Sequence, residues 1–145
     1  MLIEFKKYID KHNLIETDDK ILLALSGGVD SMVLANLLLA VSRQPSANSQ
    51  IFFAHCNFHL RGEDSDRDES FVTDFAIENN IPLFVKHFDT ETYARDNSLS
   101  IEMAARELRY AWFEELRNLH DINKVALAHH GDDQIETFFI NMLRG

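Results

Sequence analysis

The stretch that most limits what this chain can fold into is residues 21–41. An apolar run at residues 21–25 passes directly into Ser26-Gly27-Gly28-Val29-Asp30-Ser31, and residues 31–41 continue apolar almost all round. Five residues suit a buried strand, and the longer run suits a buried helix. Two glycines let the backbone turn tightly between them. A strand that feeds a buried helix through so short a turn belongs to a sheet covered by helices, which is an α/β architecture.

The rest of the chain repeats that alternation. Residues 2–13 read as an amphipathic helix, residues 51–56 as a second strand and residues 66–80 as a helix. Residues 83–88 read as a third strand, and residues 90–97 as a loop or short helix. Ser100 caps a long helix reaching about Leu119, and residues 125–128 form a fourth strand. Ile135, Phe138, Phe139 and Met142 fall at i, i+3, i+4, i+7, which predicts a last helix from about Asp132. Connections this long imply parallel strands and right-handed crossovers. The expected fold is a doubly wound parallel sheet of at least four strands, with helices on both faces. A sheet that stops after the fourth strand would leave an exposed edge, and a homodimer is one way to cover it. In such sheets the ligand crevice lies beyond the carboxyl ends of the strands.

Composition excludes several classes. No apolar run approaches the roughly 20 residues that a membrane helix needs. The N-terminus lacks the apolar stretch of a secretion signal. A single cysteine, Cys56, permits neither an intrachain disulfide framework nor a four-cysteine zinc site. These features predict a cytoplasmic protein without membrane partners. With 24 Asp plus Glu against 14 Lys plus Arg, the net charge is -10, so any nucleic-acid contact needs a local basic patch or another domain.

The glycine turn carries the sharpest chemistry. The helix after it aims free N–H groups and a positive dipole end at the loop, while Ser26 and Ser31 add hydroxyls, so Ser26, Gly27, Gly28, Val29 and Ser31 form a pocket for phosphate. A plain strand-to-helix turn would use the same residues, but their placement favours phosphate. The loop lacks the Gly-Lys-Ser/Thr ending of a Walker A motif and the G-x-G-x-x-G dinucleotide pattern. Asp30 would repel phosphate unless a cation intervened, which suggests Mg2+ there.

Three further segments fall at predicted strand ends or on the long helix. His129-His130-Gly131-Asp132-Asp133-Gln134-Ile135-Glu136-Thr137 puts Asp132, Asp133 and Glu136 on one helical face, suited to a metal ion or an amine. A zinc site of His129, His130 and Asp133 is disfavoured, because adjacent histidines diverge. Glu102-Met103-Ala104-Ala105-Arg106-Glu107-Leu108-Arg109-Tyr110 places Arg106 and Arg109 one turn apart, within reach of phosphate or of a surface ion pair. Residues 55–69, beginning His55-Cys56-Asn57-Phe58-His59-Leu60-Arg61-Gly62, bring His55 to a strand end and make Arg61 and Gly62 part of a flap.

Together these segments resemble the N-type ATP pyrophosphatase (PP-loop) superfamily and, within it, the tRNA(Ile)-lysidine synthetase family, over residues 21–145. The resemblance implies a Rossmann-like fold of the adenine nucleotide alpha hydrolase kind, with ATP as co-substrate and Mg2+. It implies adenylation of the wobble cytidine of isoleucine tRNA with a CAU anticodon, release of pyrophosphate, and attack by L-lysine at C2 to form lysidine. Residue by residue, it assigns Ser26, Gly27, Gly28, Val29, Asp30 and Ser31 to the pyrophosphate loop, and Ala54 and His55 to the adenine side. It assigns Asp30, Arg106 and Asp133 to catalysis, and Asp132, Asp133 and Glu136 to lysine or metal. Gly131 and Phe58 stand where that family often has alanine and histidine. Residues 1–145 are then expected to be an incomplete N-terminal ATP-binding domain whose tRNA-binding C-terminal regions lie outside this chain. Alternatives are another PP-loop enzyme, either a tRNA thiolase or an amide-forming synthetase, and a non-catalytic ATP-binding module. The single cysteine opposes a cytidine thiolase with clustered cysteines.

Overall fold

The computed structural model describes residues 1–43 and 49–128, and the backbone path of residues 140–144. The elements in chain order are α1 (Leu2–Lys11), β1 (Lys20–Ala24), α2 (Val29–Ser42), β2 (Gln50–Asn57), α3 (Glu63–Asn79), β3 (Leu83–His87), α4 (Thr90–Asp96), α5 (Ile101–His120), β4 (Lys124–Ala128) and β5 (Ile140–Arg144). The sheet order is β3-β2-β1-β4-β5. The first four strands run parallel and β5 pairs antiparallel with β4.

Alternate strand residues serve the two faces, as the pleat requires. Ile21, Leu23, Ile51 and Phe53 pack with Phe5, Leu34, Leu38 and Val72 from α1, α2 and α3. Leu22, Ala54, Val125 and Leu127 pack with Trp112, Phe113 and Leu116 of α5. Both faces of the central strands are therefore covered, which is why they read as continuous apolar runs. Helix ends follow local chemistry. Ser100 accepts from the Met103 N–H at the start of α5, and Asp89 accepts from the Thr92 N–H at the start of α4. Hydrogen bonds from Thr92 hold the Asp89 carboxyl below its ordinary range.

Below the sheet, opposite the carboxyl ends of the strands, lies a buried polar knot. Lys124 and Asp19 are both nearly fully enclosed, with Nζ donating to Asp19 Oδ2 at 2.5 Å and to the Leu14 carbonyl at 2.8 Å. Asp19 also accepts from Asn123 Nδ2 at 2.8 Å and from the Glu16 N–H at 2.7 Å. Burial pushes the Asp19 carboxyl up, but the bonds from Lys124, Glu16 and Asn123 outweigh it and hold it below the usual value.

One expectation is overturned. Ile140–Arg144, expected to continue the last helix through Met142, is a strand. Short apolar runs satisfy both periods, and here the unpaired edge of β4 supplies hydrogen-bonding partners that a helix would leave unused. The edge expected to be open beside β4 is therefore paired. Residues 129–139, which include Ile135, Phe138 and Phe139, lie outside the described residues.

Candidate nucleotide site

The chain crosses from one side of the sheet to the other between β3 and β4, so β1 and β4 are neighbours whose connections leave in opposite directions. That is the switch point where open α/β sheets bind ligands. A cavity of about 300 Å³ opens there. This volume is at the lower end for small-molecule sites. Its walls are Ala24, Leu25 and Ser26 from β1 and the loop, Ser31 from α2, Ala54, Cys56 and Phe58 from β2 and beyond, Arg106, Arg109, Tyr110 and Phe113 from α5, and Leu127 and Ala128 from β4.

The loop is closed on itself by its hydroxyls. Ser26 N–H donates to Ser31 Oγ at 3.2 Å, the two hydroxyl oxygens stand 3.1 Å apart, and Gly28 N–H donates to Ser26 Oγ at 3.2 Å. Ser31 Oγ–H donates to the Gly28 carbonyl at 3.1 Å. Ser31 therefore spends its proton on Gly28, and the Ser26 hydroxyl donates to Ser31. Gly27 sits at φ +87°, in the left-handed region, with Asp68 of α3 seated against it. Gly28 is the N-cap of α2, so the first N–H groups of that helix begin at Val29. Val29 is 79% exposed, so its contribution is the backbone. Asp30 lies in the first turn of α2 and is exposed, beside the loop rather than in the cavity wall.

Opposite the loop stand two guanidinium groups on one ring. Arg106 Cζ is 5.3 Å and Arg109 Cζ 5.5 Å from the centroid of Tyr110. Spacings i, i+3 and i+4 bring the three side chains together on α5. The buried Nε of Arg109 has no acceptor among the described residues. An anion bridging the hydroxyl loop and these arginines would meet donors and positive charge from both sides.

The two strand-end residues separate. Ala54 forms part of the cavity wall, whereas His55 belongs to the opposite face, 3% exposed, with Nδ1 2.6 Å from the Leu25 carbonyl. A carbonyl only accepts, so Nδ1 carries the proton and braces the residue from which the phosphate loop departs. Asp132, Asp133, Glu136, His129 and His130 lie outside the described residues, in the segment that leaves Ala128 at the cavity rim. Among the described residues, no group of three or more His, Cys, Asp or Glu is suited to holding a metal ion, and no helix is long and apolar enough to cross a membrane.

Spacing puts Arg109 beside Arg106 within reach of phosphate, Phe58 is marked in the sequence only as a departure from the family pattern, Tyr110 only closes the segment 102–110, and Phe113 carries no signal. The clue for Tyr110 was its position four residues after Arg106, where a ring can carry a guanidinium. Phe58 continues the flap and stacks on Phe88 with centroids 5.4 Å apart. Cys56 is a wall residue, and burial pushes its thiol up to about 12 against the opposing charges of Arg109 and Lys86. Thiolate is therefore scarce at pH 8. Alkylation of Cys56 by iodoacetamide at pH 8 is expected to be at least about a hundredfold slower in the native protein than in urea. Equal rates would contradict that environment.

The profile of the PP-loop domain family matches residues 1–145, and the chain belongs to that family. Among curated proteins, it is 47% identical over 145 residues to the tRNA(Ile)-lysidine synthase of Parabacteroides distasonis, covering all of this chain and 32% of that protein. It is 48% identical over 139 residues to the protein of the same name from Bacteroides thetaiotaomicron, covering 96% of this chain and 31% of that one. The chain thus spans about a third of the length of these relatives. Among solved structures, it resembles the U34-tRNA thiolase NcsA from Methanococcus maripaludis with its 4Fe–4S cluster. The TM-score is 0.68 at 19% identity, over 87% of this chain and 45% of that one, a likeness of fold alone. The α/β fold with four parallel strands and the use of ATP by this class of domain agree with the sequence reading.

Proposed function

We propose that the chain is the ATP-binding part of a ligase that forms lysidine in isoleucine tRNA with a CAU anticodon. The observation that carries this reading is 47% identity over the whole chain to a tRNA(Ile)-lysidine synthase. In the first step the C2 oxygen of the wobble cytidine attacks the α-phosphorus of ATP, and pyrophosphate leaves. In the second, the side-chain amine of L-lysine attacks C2 and AMP departs with the oxygen.

The cavity supports roles for its own residues. The N–H groups of Gly27 and Val29 hold the departing pyrophosphate at the start of α2, and Ser26, Gly28 and Ser31 turn to it by exchanging the hydrogen bonds they make with one another. Arg106 and Arg109 offset the charge that grows on it. Ala54 supports the adenosine, and His55 acts on the loop through Leu25 rather than on the nucleotide. Mg2+ takes one or two carboxylates and completes its shell with phosphate and water, and Asp30, an exposed carboxylate beside the loop, fits that need. Bound there, the ion would neutralise phosphate charge. Asp133, with Asp132 and Glu136, is assigned to the lysine amine or to a cation. The net charge of -10 favours a tRNA-binding surface outside residues 1–145. A cytoplasmic setting follows from the tRNA substrate. A homodimer, if formed, would not use the β4 edge, because β5 occupies it.

The test is transfer of radiolabelled lysine by the intact protein to a tRNA(Ile) transcript with a CAU anticodon, in the presence of ATP and magnesium. Lysine is expected in the tRNA, with pyrophosphate released and no transfer when the wobble cytidine is replaced by uridine. Pyrophosphate release without lysine transfer would reassign the chain to another PP-loop reaction. Within this reading, Arg109→Gln is expected to raise the KM for ATP about tenfold, the size of one charge-assisted hydrogen bond. An unchanged KM would remove Arg109 from the phosphate site.

A further inference from the structure

One ion pair beside the phosphate loop has no role in the cavity just described. Arg61 Nη1 donates to Asp68 Oδ2 at 3.2 Å, and Nη2 stands 3.9 Å from Asp64 Oδ2. Asp68 is the α3 residue seated on Gly27. A Cβ built on that glycine would stand 3.1 Å from Asp68 Cβ and 3.2 Å from Oδ1. A carboxylate so placed opposes any anion in the loop, and Arg61 is the charge that offsets it. The backbone of Arg61 is tied down, its N–H donating to Ser65 Oγ at 3.1 Å. Its side chain is 65% exposed, so the guanidinium can turn while the chain beneath it stays fixed.

We propose that Arg61 is a phosphate-binding cation held in reserve by Asp68, and that an anion on the loop competes with Asp68 for the guanidinium. The inference rests on the phosphate reading of the loop and extends it. Arg106 and Arg109 approach from α5 on one face of the sheet. Arg61 stands with α3, which packs on the other face, one carboxylate away from Gly27. Transfer of Arg61 would surround a pyrophosphate group with cations on both sides of a loop that contains no lysine. Asp68 is then a positioning residue. It keeps the flap arginine beside the loop and restrains anion affinity until a ligand arrives.

The test is calorimetric binding of inorganic pyrophosphate at low ionic strength to the unaltered protein, Asp68→Asn, Arg61→Gln and the double variant. Circular dichroism melts of each verify folding, and Arg61→Lys serves as a charge-retaining control. At such exposed sites Asp68→Asn is expected to tighten binding about threefold and Arg61→Gln to weaken it about threefold. The loss from Arg61→Gln should be larger in the Asp68→Asn background, where the arginine is already released. Arg61→Lys should retain most of the affinity. A clasp that merely holds the flap makes the opposite forecast: both single variants weaken binding, and Arg61→Gln adds nothing once Asp68 is neutral. That pattern, or no change in any variant, would overturn the proposal while leaving the phosphate loop standing. An unaltered, folded protein that binds no pyrophosphate would overturn the phosphate reading and this proposal with it.

Discussion

Lys124→Met is expected to destabilise the protein by about 3–5 kcal/mol, because it leaves a buried carboxylate without its cation. Asp19 is 4% exposed and Lys124 3%, so water cannot replace the lost partner without opening the structure. Methionine also gives up the bond from Nζ to the Leu14 carbonyl. The pH dependence carries a sign. In the unaltered protein the folded Asp19 pKa lies below its unfolded value. Its stabilising contribution is therefore complete above the unfolded pKa of about 4 and is lost as pH falls towards the folded value. In Lys124→Met, burial acts on Asp19 with its main opposing bond gone, so that carboxyl takes up a proton more readily on folding. The deficit should thus be largest near neutrality and shrink as pH approaches 4. Urea denaturation at pH 7 and pH 4.5 measures both quantities. A loss below about 1 kcal/mol, or a deficit that grows on acidification, would mean that the pair is not enclosed as described.

Gly27→Ala should have the largest effect on the candidate site. At φ +87° a side chain costs about 1–2 kcal/mol from the backbone alone. The new methyl would also meet Asp68 Cβ at 3.1 Å, and that atom belongs to α3 and cannot swing aside as a side-chain tip can. The chain can escape both penalties only by moving the loop, which breaks the circuit joining Ser26, Gly28 and Ser31. We expect at least a tenfold loss of ATP affinity with a stability loss of about 2 kcal/mol. Gly62→Ala is the comparison that lacks the steric contact. It shares a positive φ, +57°, but has nothing within 4 Å of the added carbon. It should incur a backbone cost at least as large and weaken ATP binding less than Gly27→Ala does. Similar ATP affinities for both variants would show that the close approach of Gly27 to Asp68 does not shape the loop.

Much of this architecture was legible because strand and helix alternate with few ambiguities. The apolar run before Ser26, the Ser100 cap and the spacing of Ala104, Trp112 and Leu116 each express a local physical requirement. What could not be read depended on distant partners. Residues 140–144 fit a helical period, and the free edge of β4 decided otherwise. Ala54 and His55 are neighbours in sequence, yet the pleat sends one to the cavity and the other to the far face; knowing which required knowing where α5 packs. Arg109 and Tyr110 gained meaning only when α5 was laid across the loop. The contact between Asp68 and Gly27 joins residues 41 positions apart, with no periodic signal in either. Asp132, Asp133 and Glu136 lie outside the described residues, and their proposed roles rest on the sequence pattern.

The Lys124 and Asp19 knot has a consequence for how the sheet assembles. β4 is apolar on both faces, and only three residue pairs align it with β1, beginning at Ile21 and Lys124. Hydrophobic burial alone discriminates poorly against sliding such a strand by one position, since either face finds a greasy neighbour. A slid β4 would carry its ammonium away from Asp19 and bury two unpaired charges, a penalty of several kcal/mol. The ion pair at the foot of the sheet thus acts as an alignment key. It sets how far Ala128 reaches beyond Ala24, and through that the width of the mouth into which a nucleotide must pass.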